Sequence, residues 1–398
     1  MAAQFSLSNA SALFKIKYGK LSENVYNSAT PLLSRIKKSY NFTGKQMNFP
    51  VPQSFAGGVG SGSLPTANTA VYGDVTFTRK KLYAVVQVDR ESIKASSSDE
   101  GAFVKATKEV VEKGVESFMR NMSRILFNDG TGAVGTIEAN ATGTAAAPVV
   151  IITAATWKEA NFEERDILNN GATTEQYEVV SIVESTRTVT LARLTGSTDL
   201  TSTGSGVVLH MQGSKDNDPE GLKGVLDATS GTKYGITIAR RWQAFQHDAN
   251  SATISPDLMN KMMLNVEKRC GKAPNLIVTS YLQFEKLLNI LEDQKQYNLE
   301  PRAKDLKGQI SFSGISFMSS RGAIGIFADR FCEADRMYFL NDDKIEIFHA
   351  PDFGWFDDDG TVFLRSSTAD SYDARYGGYL QIYIDPNFHG ILSDLNVA

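Results

Sequence analysis

A glycine-rich stretch between two extended segments limits what the N-terminal part of this chain can fold into. Gly57, Gly58, Gly60 and Gly62 fall within six residues, and glycine loses more backbone freedom on ordering than any other residue. The flanking stretches, KQMNFPVPQ and VYGDVTFTRKKLYAVVQVD, both read as strands. The sequence therefore predicts a long two-stranded ribbon with a flexible tip over residues 46–92. Because an isolated hairpin is only marginally stable in water, we expect another surface to cover it.

Prolines and alternation distinguish the two strands of this ribbon. Pro50 and Pro52 cannot donate ladder hydrogen bonds, which predicts an edge position for the first strand. In the second strand Val75 and Phe77 alternate with threonines, a pattern typical of a strand with one covered face. From residue 82 the pattern becomes almost continuously apolar, LYAVVQV, and this predicts a portion buried on both faces.

The composition is that of an ordinary globular protein with more than one domain. The 398 residues are 42% hydrophobic and carry 41 basic and 45 acidic side chains, a balance that does not favour a nucleic-acid-binding protein. Two cysteines, Cys270 and Cys332, cannot build a disulfide framework and suit a reducing compartment. We expect neither a signal peptide nor a membrane span, since no window holds about 18 uninterrupted apolar residues.

Charge is distributed unevenly between the two ends of the chain. Residues 1–50 carry seven Lys or Arg and one acid, a net charge of +6, whereas residues 329–398 carry a net charge of −9. Residues 1–45 hold too little apolar surface for a core, so we expect an arm that orders by docking on another surface. Two interpretations stay open: attraction between the two ends, within one chain or between copies, and a solvated basic arm.

The middle of the chain predicts a long helix followed by a small all-β module. Apolar residues recur at three- and four-residue steps over residues 100–128, and Gly114 on this apolar face indicates a close backbone crossing. Asn128 begins the sequence NDG, a good stop signal for the helix. Residues 134–212 are rich in Thr, Val, Ala and Gly, and turn signals at regular spacing predict short strands.

From residue 220 onwards the pattern is that of an α/β domain followed by further strands. Ser255 and Pro256 predict a helix start, and Gly271 predicts its end. The stretch APNLIVTS reads as a buried strand, and the stretch YLQFEKLLNILEDQ reads as a second helix. Strand-like runs continue from there to the C-terminal region.

None of the candidate chemical motifs is complete. The glycine-rich stretch lacks the Lys and hydroxyl residue of a phosphate-binding loop, and Ser63 occupies the position of the third glycine in a dinucleotide pattern. The four histidines do not pair at metal-binding spacing, and His349 is interpreted as structural. A nucleophile–base pair of Cys332 and His349 is speculation. The acidic run 357–359 lacks the spacing of a calcium loop and is interpreted as a solvated turn. We predict no catalytic, cofactor or metal site.

In its element order the chain resembles the major capsid protein of tailed bacteriophages with the HK97-type fold. The resemblance rests on arm, ribbon, long helix, α/β body and closing strands, and it covers nearly the whole chain. It implies an α+β fold with the following parts: N-terminal arm 1–45, extended loop 46–92, peripheral domain with spine helix 93–133, inserted small β domain 134–212, axial domain 213–330, and closing strands of the peripheral domain 331–398.

The resemblance also implies a function. Proteins of this family assemble in hexamers and pentamers into an icosahedral shell around double-stranded DNA without reading its sequence. The chain would be no enzyme, would need no cofactor, would bind itself and no membrane, and would be a virion component assembled in the host cytoplasm. Portal, scaffolding and decoration proteins are further candidate partners.

In this family the extended loop lies across a neighbouring subunit, which would supply the cover that the ribbon lacks. The subunit-interface candidates are Gly57, Gly58, Gly60, Gly62, Val75, Phe77, Lys37 and Lys38. An encapsulin-like compartment shell of the same fold is the alternative function, although the basic arm and the β insertion favour the phage. An unrelated α/β enzyme would need a clustered polar site, which the sequence does not show.

Overall fold

A computed structural model describes residues 31–39, 42, 44–54, 71–89, 100–171, 174–293, 315–319, 322–356, 362–365 and 370–397. Most of the predicted arm and the four candidate glycines of the ribbon tip lie outside these residues. The chain divides into two compact units. The first unit comprises residues 1–45, 78–123 and 346–381, and the second comprises residues 46–77, 124–345 and 382–398.

Helices and strands of the described part are numbered in chain order. The helices are α1 (Pro31–Arg35), α2 (Glu100–Phe127), α3 (Leu200–Thr203), α4 (Leu222–Leu226), α5 (Pro256–Cys270) and α6 (Tyr281–Asp293). The strands are β1 (Lys37–Ser39), β2 (Gln46–Ser54), β3 (Val71–Thr78), β4 (Lys80–Asp89), β5 (Ala133–Thr136), β6 (Thr142–Gly143), β7 (Pro148–Ile151), β8 (Ile167–Asn169), β9 (Gln176–Val183), β10 (Thr188–Thr195), β11 (Val208–Met211), β12 (Thr232–Lys233), β13 (Ile236–Thr237), β14 (Phe245–Asp248), β15 (Leu276–Thr279), β16 (Ile315–Ser319), β17 (Gly322–Ala328), β18 (Met337–Leu340), β19 (Ile345–Trp355), β20 (Phe363–Arg365), β21 (Ser371–Ile384) and β22 (Gly390–Ser393).

Capping residues set the ends of helix α5, as the sequence predicts. The Ser255 side chain accepts a hydrogen bond from the Leu258 amide, and Pro256 occupies the first turn. Gly271 adopts a left-handed conformation with φ of 75° and closes the helix. The long helix α2 contains 28 residues, so its length is about 42 Å at about 1.5 Å per residue.

The first unit is built around a five-stranded sheet. Its strands follow the order β1-β19-β21-β20, and β4 also pairs with β21. Helix α2 packs on this sheet: the Phe118 ring meets the Tyr376 ring edge-on with a 5.0 Å separation of centroids. A Cβ atom built on Gly114 would fall within contact distance of the Val86 side chain. The predicted close crossing at Gly114 is therefore confirmed.

The second unit contains a six-stranded sheet of order β14-β22-β18-β15-β17-β16. The central strand β15 is buried along its whole length, with β17 parallel on one side and β18 antiparallel on the other. Its Ile277 belongs to a core cluster together with Met262 of α5 and Leu287 of α6. Two strands from the region 331–398, β18 and β22, belong to this sheet, whereas β19, β20 and β21 belong to the sheet of the first unit.

Residues 133–211, close to the predicted range 134–212, form a module of seven strands and the short helix α3, which we call the β module. Its seven strands follow the order β5-β11-β8-β9-β10-β7-β6 around a shared apolar core. A bridge between Ile137 and Ile152 joins the chain beyond β5 to the chain beyond β7, so the sheet closes on itself. This bridge pairs the end of β5 with the end of β7, and β6 keeps β7 as its one strand partner in the sheet.

Two adjacent chain segments connect the β module to the rest of its unit, one around Thr131 and one around Asp216, and we call them the stem. The Asp216 amide donates to the Thr131 carbonyl at 3.0 Å, which ties the two segments together. Beside the stem, Arg124 forms a buried ion pair with Asp218 at 3.0 Å. The stem therefore begins directly at the C-terminal end of α2.

A second buried ion pair holds the β module against the body of the second unit. The Lys158 ammonium lies 2.8 Å from one Glu333 carboxylate oxygen, and the Glu333 side chain is 5% and that of Lys158 10% exposed. The Tyr338 hydroxyl donates to the other oxygen at 2.9 Å. Because an unpaired charge is costly in such a place, this contact fixes the docked position of the module.

The predicted burial of β4 on both faces is wrong for the single chain. Val86 is 3% exposed, whereas Val85 is 61% and Tyr83 is 44% exposed. Strand β4 alternates because α2 packs on one face of the sheet, whereas Tyr83 and Val85 on the other face stay largely exposed. The run of apolar residues therefore leaves exposed apolar side chains on this face among the described residues.

Candidate assembly surface

The described base of the ribbon consists of β2 and β3, which pair with each other as predicted. One aromatic side chain from each of these two strands packs against two rings from distant parts of the chain, and we call these four rings the aromatic cluster. The Phe49 ring centroid lies 6.0 Å from that of Phe77 and 5.0 Å from that of Tyr383. Tyr234 completes the cluster at 5.9 Å from Phe77 and 5.7 Å from Tyr383.

This cluster changes the role of two predicted interface residues. Val75 is fully buried and Phe77 is 5% exposed within the single chain. Their cover comes from the chain itself, and this corrects the expectation that a neighbouring subunit supplies it. Phe77 packs against the rings of Tyr234 and Tyr383, and alternation cannot reveal such long-range contacts.

Uncovered apolar side chains lie elsewhere on the ribbon base and on β4. Val71 is 49% and Tyr72 is 56% exposed on β3, close to the predicted tip. On β4, Tyr83 and Val85 present the uncovered face described above, and the Tyr83 ring lies 5.7 Å from that of Phe356. We call Tyr72, Tyr83 and Val85 the exposed apolar residues. Sequence reasoning missed all three as interface candidates, although a strictly applied alternation rule separates Val85 from Val86.

The described end of the arm is attached to the chain's own first unit. Leu32, Leu33 and Ile36 are at most 3% exposed, and β1 runs parallel to β19. Lys37 pairs with Glu346 at 3.2 Å and remains 69% exposed, and Lys38 is exposed in the same strand. One contact between the basic and acidic ends is therefore made within a single chain.

The candidate nucleophile Cys332 and the histidines His349 and His389 are core residues. Burial raises the pKa of the Cys332 thiol well above its ordinary value, so the reactive thiolate is disfavoured. Burial lowers the pKa of His389 to about 3, and its Nδ1 accepts a hydrogen bond from the backbone N–H of Asn341. His349 is 2% exposed. Among the described residues, no three His, Cys, Asp or Glu side chains converge on a metal site.

Two remaining expectations concern a membrane span and the acidic run. None of their helices is long and apolar enough to cross a membrane. The acidic run 357–359, interpreted above as a solvated turn, lies outside the described part of the chain.

Comparison with known proteins reveals similarity at the level of structure. No protein-family model matches the sequence, and no curated protein matches it. A chain of the cyanophage A-1(L) capsid asymmetric unit is 12% identical, with 93% of both chains covered and a TM-score of 0.51. A structure from Mycobacterium phage Bobi is 11% identical, with 98% and 99% covered and a TM-score of 0.45. The SrpI encapsulin of Synechococcus elongatus is 8% identical, with 93% and 89% covered and a TM-score of 0.44.

The likeness to the cyanophage chain extends over nearly the whole molecule. At 12% identity it shows a shared fold. The expected class, an α+β HK97-like capsid fold with an inserted β module, is therefore confirmed.

Proposed function

We propose that this chain is a major capsid protein that assembles in many copies, as hexamers and pentamers, into the icosahedral head shell of a tailed bacteriophage. The observation that carries the proposal is the fold shared with the cyanophage capsid chain over 93% of both chains. The domain boundaries given above belong to the proposal, with the strands of residues 331–398 divided between two sheets as described under the overall fold. The shell would enclose double-stranded DNA without sequence-specific contacts, and the chain would act as a structural protein of the virion.

The surface of the single chain supports self-association. Tyr83 and Val85 lie on one face of β4 and are 44% and 61% exposed, and neighbouring apolar side chains at the surface are typical of protein–protein contacts. The ribbon also has the reach: an extended arm of roughly 20 residues spans about 65 Å at about 3.3 Å per residue. Copies of this chain are its main partner, and portal, scaffolding and decoration proteins are further ones.

The first experiment shortens the ribbon. Residues 57–71 are replaced by an Asn-Gly turn, which suits a tight hairpin. If the ribbon covers a neighbour, the subunit stays folded by circular dichroism and stops forming particles in negative-stain electron microscopy. Normal particles from the shortened chain would refute a ribbon that spans to the neighbour, and a parent chain that stays monomeric at high concentration would refute the shell itself.

A second experiment uses point changes of matched exposure. Val85→Ser on β4 and Tyr72→Ser on β3 each remove exposed apolar surface, and the control Leu264→Ser on α5 removes it from a side chain that is 56% exposed. We expect lower particle yield for the first two variants at unchanged thermal stability. Equal yields for all three would remove β4 and the ribbon base from the interface.

A further inference from the structure

A two-residue hairpin supports the base of the ribbon. Strands β12 and β13 are joined by Tyr234 and Gly235, whose φ angles are 51° and 82°. Two successive left-handed residues make the tight turn that suits the twist of a hairpin, and Gly235 adopts this conformation without strain. A tyrosine with positive φ is uncommon and costs conformational energy, so the contacts of Tyr234 must offset that cost.

The contacts of Tyr234 are made with the ribbon and with the strand beneath it. Its carbonyl accepts a hydrogen bond from the Thr76 amide of β3 at 2.7 Å. Its ring packs against those of both Phe77 and Tyr383 in the aromatic cluster. Its hydroxyl donates to the carbonyl of Ile382 at 3.1 Å. One buried side chain therefore links the ribbon to β21.

The hairpin is itself anchored on the side away from the ribbon. The Trp242 indole N–H donates to the Lys233 carbonyl at 3.1 Å, and Trp242 is 2% exposed. The Lys233 ammonium lies 3.0 Å from Glu220, the residue that packs against Gly130 at the stem. The hairpin is therefore fixed on one side by Trp242 and Glu220 and bonded on the other side to β3 of the ribbon.

The other ribbon strand is held from the same region. The Arg241 guanidinium donates to the Gln53 carbonyl of β2 at 3.1 Å. On β3, a Cβ atom built on Gly235 would lie 3.2 Å from the carbonyl oxygen of Asp74, so the two backbones approach closely. Both strands of the ribbon base are therefore fixed by residues 234–241.

We propose that the β12–β13 hairpin is a clamp in which Tyr234 fixes the direction in which the ribbon leaves its own subunit. The consequence for assembly rests on the proposed function. A ribbon of fixed direction reaches a neighbouring copy over a narrow range of angles, which favours one shell curvature. Loosening the clamp widens that range, so particles of mixed size or open sheets form.

The test compares three variants of the full-length chain. Tyr234→Asn removes the ring and the hydroxyl, and asparagine tolerates the left-handed backbone. Tyr234→Phe removes only the hydrogen bond to Ile382. The control is Tyr177→Phe in the β module, because the buried Tyr177 likewise donates from its hydroxyl to a carbonyl, that of Thr198, at 3.0 Å.

The direct readout is amide hydrogen exchange at Thr76, with the core amide of Ile277 as internal reference. We expect exchange at Thr76 to be about tenfold faster in Tyr234→Asn and a few fold faster in Tyr234→Phe, with no change in the control. Exchange at Ile277 stays as in the parent chain. Unchanged exchange at Thr76, or a rise matched by Ile277, overturns the clamp.

Particle size by electron microscopy is the second readout. The parent chain and Tyr177→Phe are expected to give one size class, and Tyr234→Asn several. A single unchanged size class from Tyr234→Asn overturns the link between clamp and curvature. A parent chain that forms no particles overturns the proposed function instead, and exchange at Thr76 then still decides whether the clamp exists.

Discussion

The close approach of Gly114 and Val86 offers a quantitative test of how α2 packs on its sheet. Substitution of Gly114 by Ala favours the helix by about 1 kcal/mol through propensity alone. The new methyl group, however, would overlap the Val86 side chain, which is 3% exposed and held by β4. Overpacking of this kind costs about 1–3 kcal/mol. We therefore expect Gly114→Ala to lower the free energy of unfolding by about 1 kcal/mol.

Removing the opposing side chain should reverse the effect. Val86→Ala alone leaves a cavity and costs about 2 kcal/mol. In the double variant the methyl group added at position 114 enters that cavity, so the overlap disappears and the helix propensity remains. We expect the double variant to lie within about 1 kcal/mol of the parent chain, which corresponds to a coupling of about 2 kcal/mol.

The assay is equilibrium urea unfolding of the two single variants, the double variant and the parent chain. The control pairs Val86→Ala with Lys113→Ala, because the neighbouring Lys113 is 72% exposed and should add independently. A coupling below about 0.5 kcal/mol between residues 114 and 86 would show that the helix does not approach the sheet as described.

Three further predictions concern buried titratable side chains. Burial raises the pKa of Asp329 to about 6, so its ionisation destabilises the fold as pH rises from 4 to 6. Asp329→Asn should therefore gain about 1–3 kcal/mol over the parent at pH 8 relative to pH 4, measured by urea midpoints. For His389, burial lowers the pKa to about 3, so stability is complete above pH 6.5 and falls below it. His389→Gln should flatten the acid limb by about 1.4 kcal/mol per pH unit between pH 6 and 4, and an unchanged slope would exclude His389. Lys158→Met leaves Glu333 buried without its ammonium partner and should cost about 3–5 kcal/mol, whereas the exposed Arg165→Met in the same module should cost under about 1 kcal/mol, both measured by urea unfolding.

Local patterns were sufficient for the elements whose signals lie within one segment. Ser255, Pro256 and Gly271 mark the ends of α5 because capping involves residues only a few positions apart. The apolar period of α2 likewise placed Gly114 at a crossing, and regular turn signals placed the β module. The resemblance in element order then identified the fold.

Long-range contacts explain what the sequence could not predict. Nothing near Tyr234 indicates that its ring meets Phe77 and Tyr383, since these contacts join segments more than a hundred residues apart. The same holds for strand pairing: β15 meets β18 and β22 joins the same sheet, although a continuous reading placed residues 331–398 together. On β4, an almost continuous apolar run concealed the difference between Val85 and Val86, because periodicity records pattern and not which face another element covers.

The stem makes the β module resemble a removable cassette. Its two segments lie side by side and are joined by the hydrogen bond from the Asp216 backbone amide to the Thr131 carbonyl. The ends of the module are therefore as close together as the ends of a tight turn. A foreign domain whose ends lie equally close could be grafted there. Such a graft also has to replace Glu333, because removal of Lys158 leaves the buried Glu333 carboxylate without its ammonium partner. Exchange of the cassette, in the laboratory or between genomes, therefore succeeds when residue 333 changes with it.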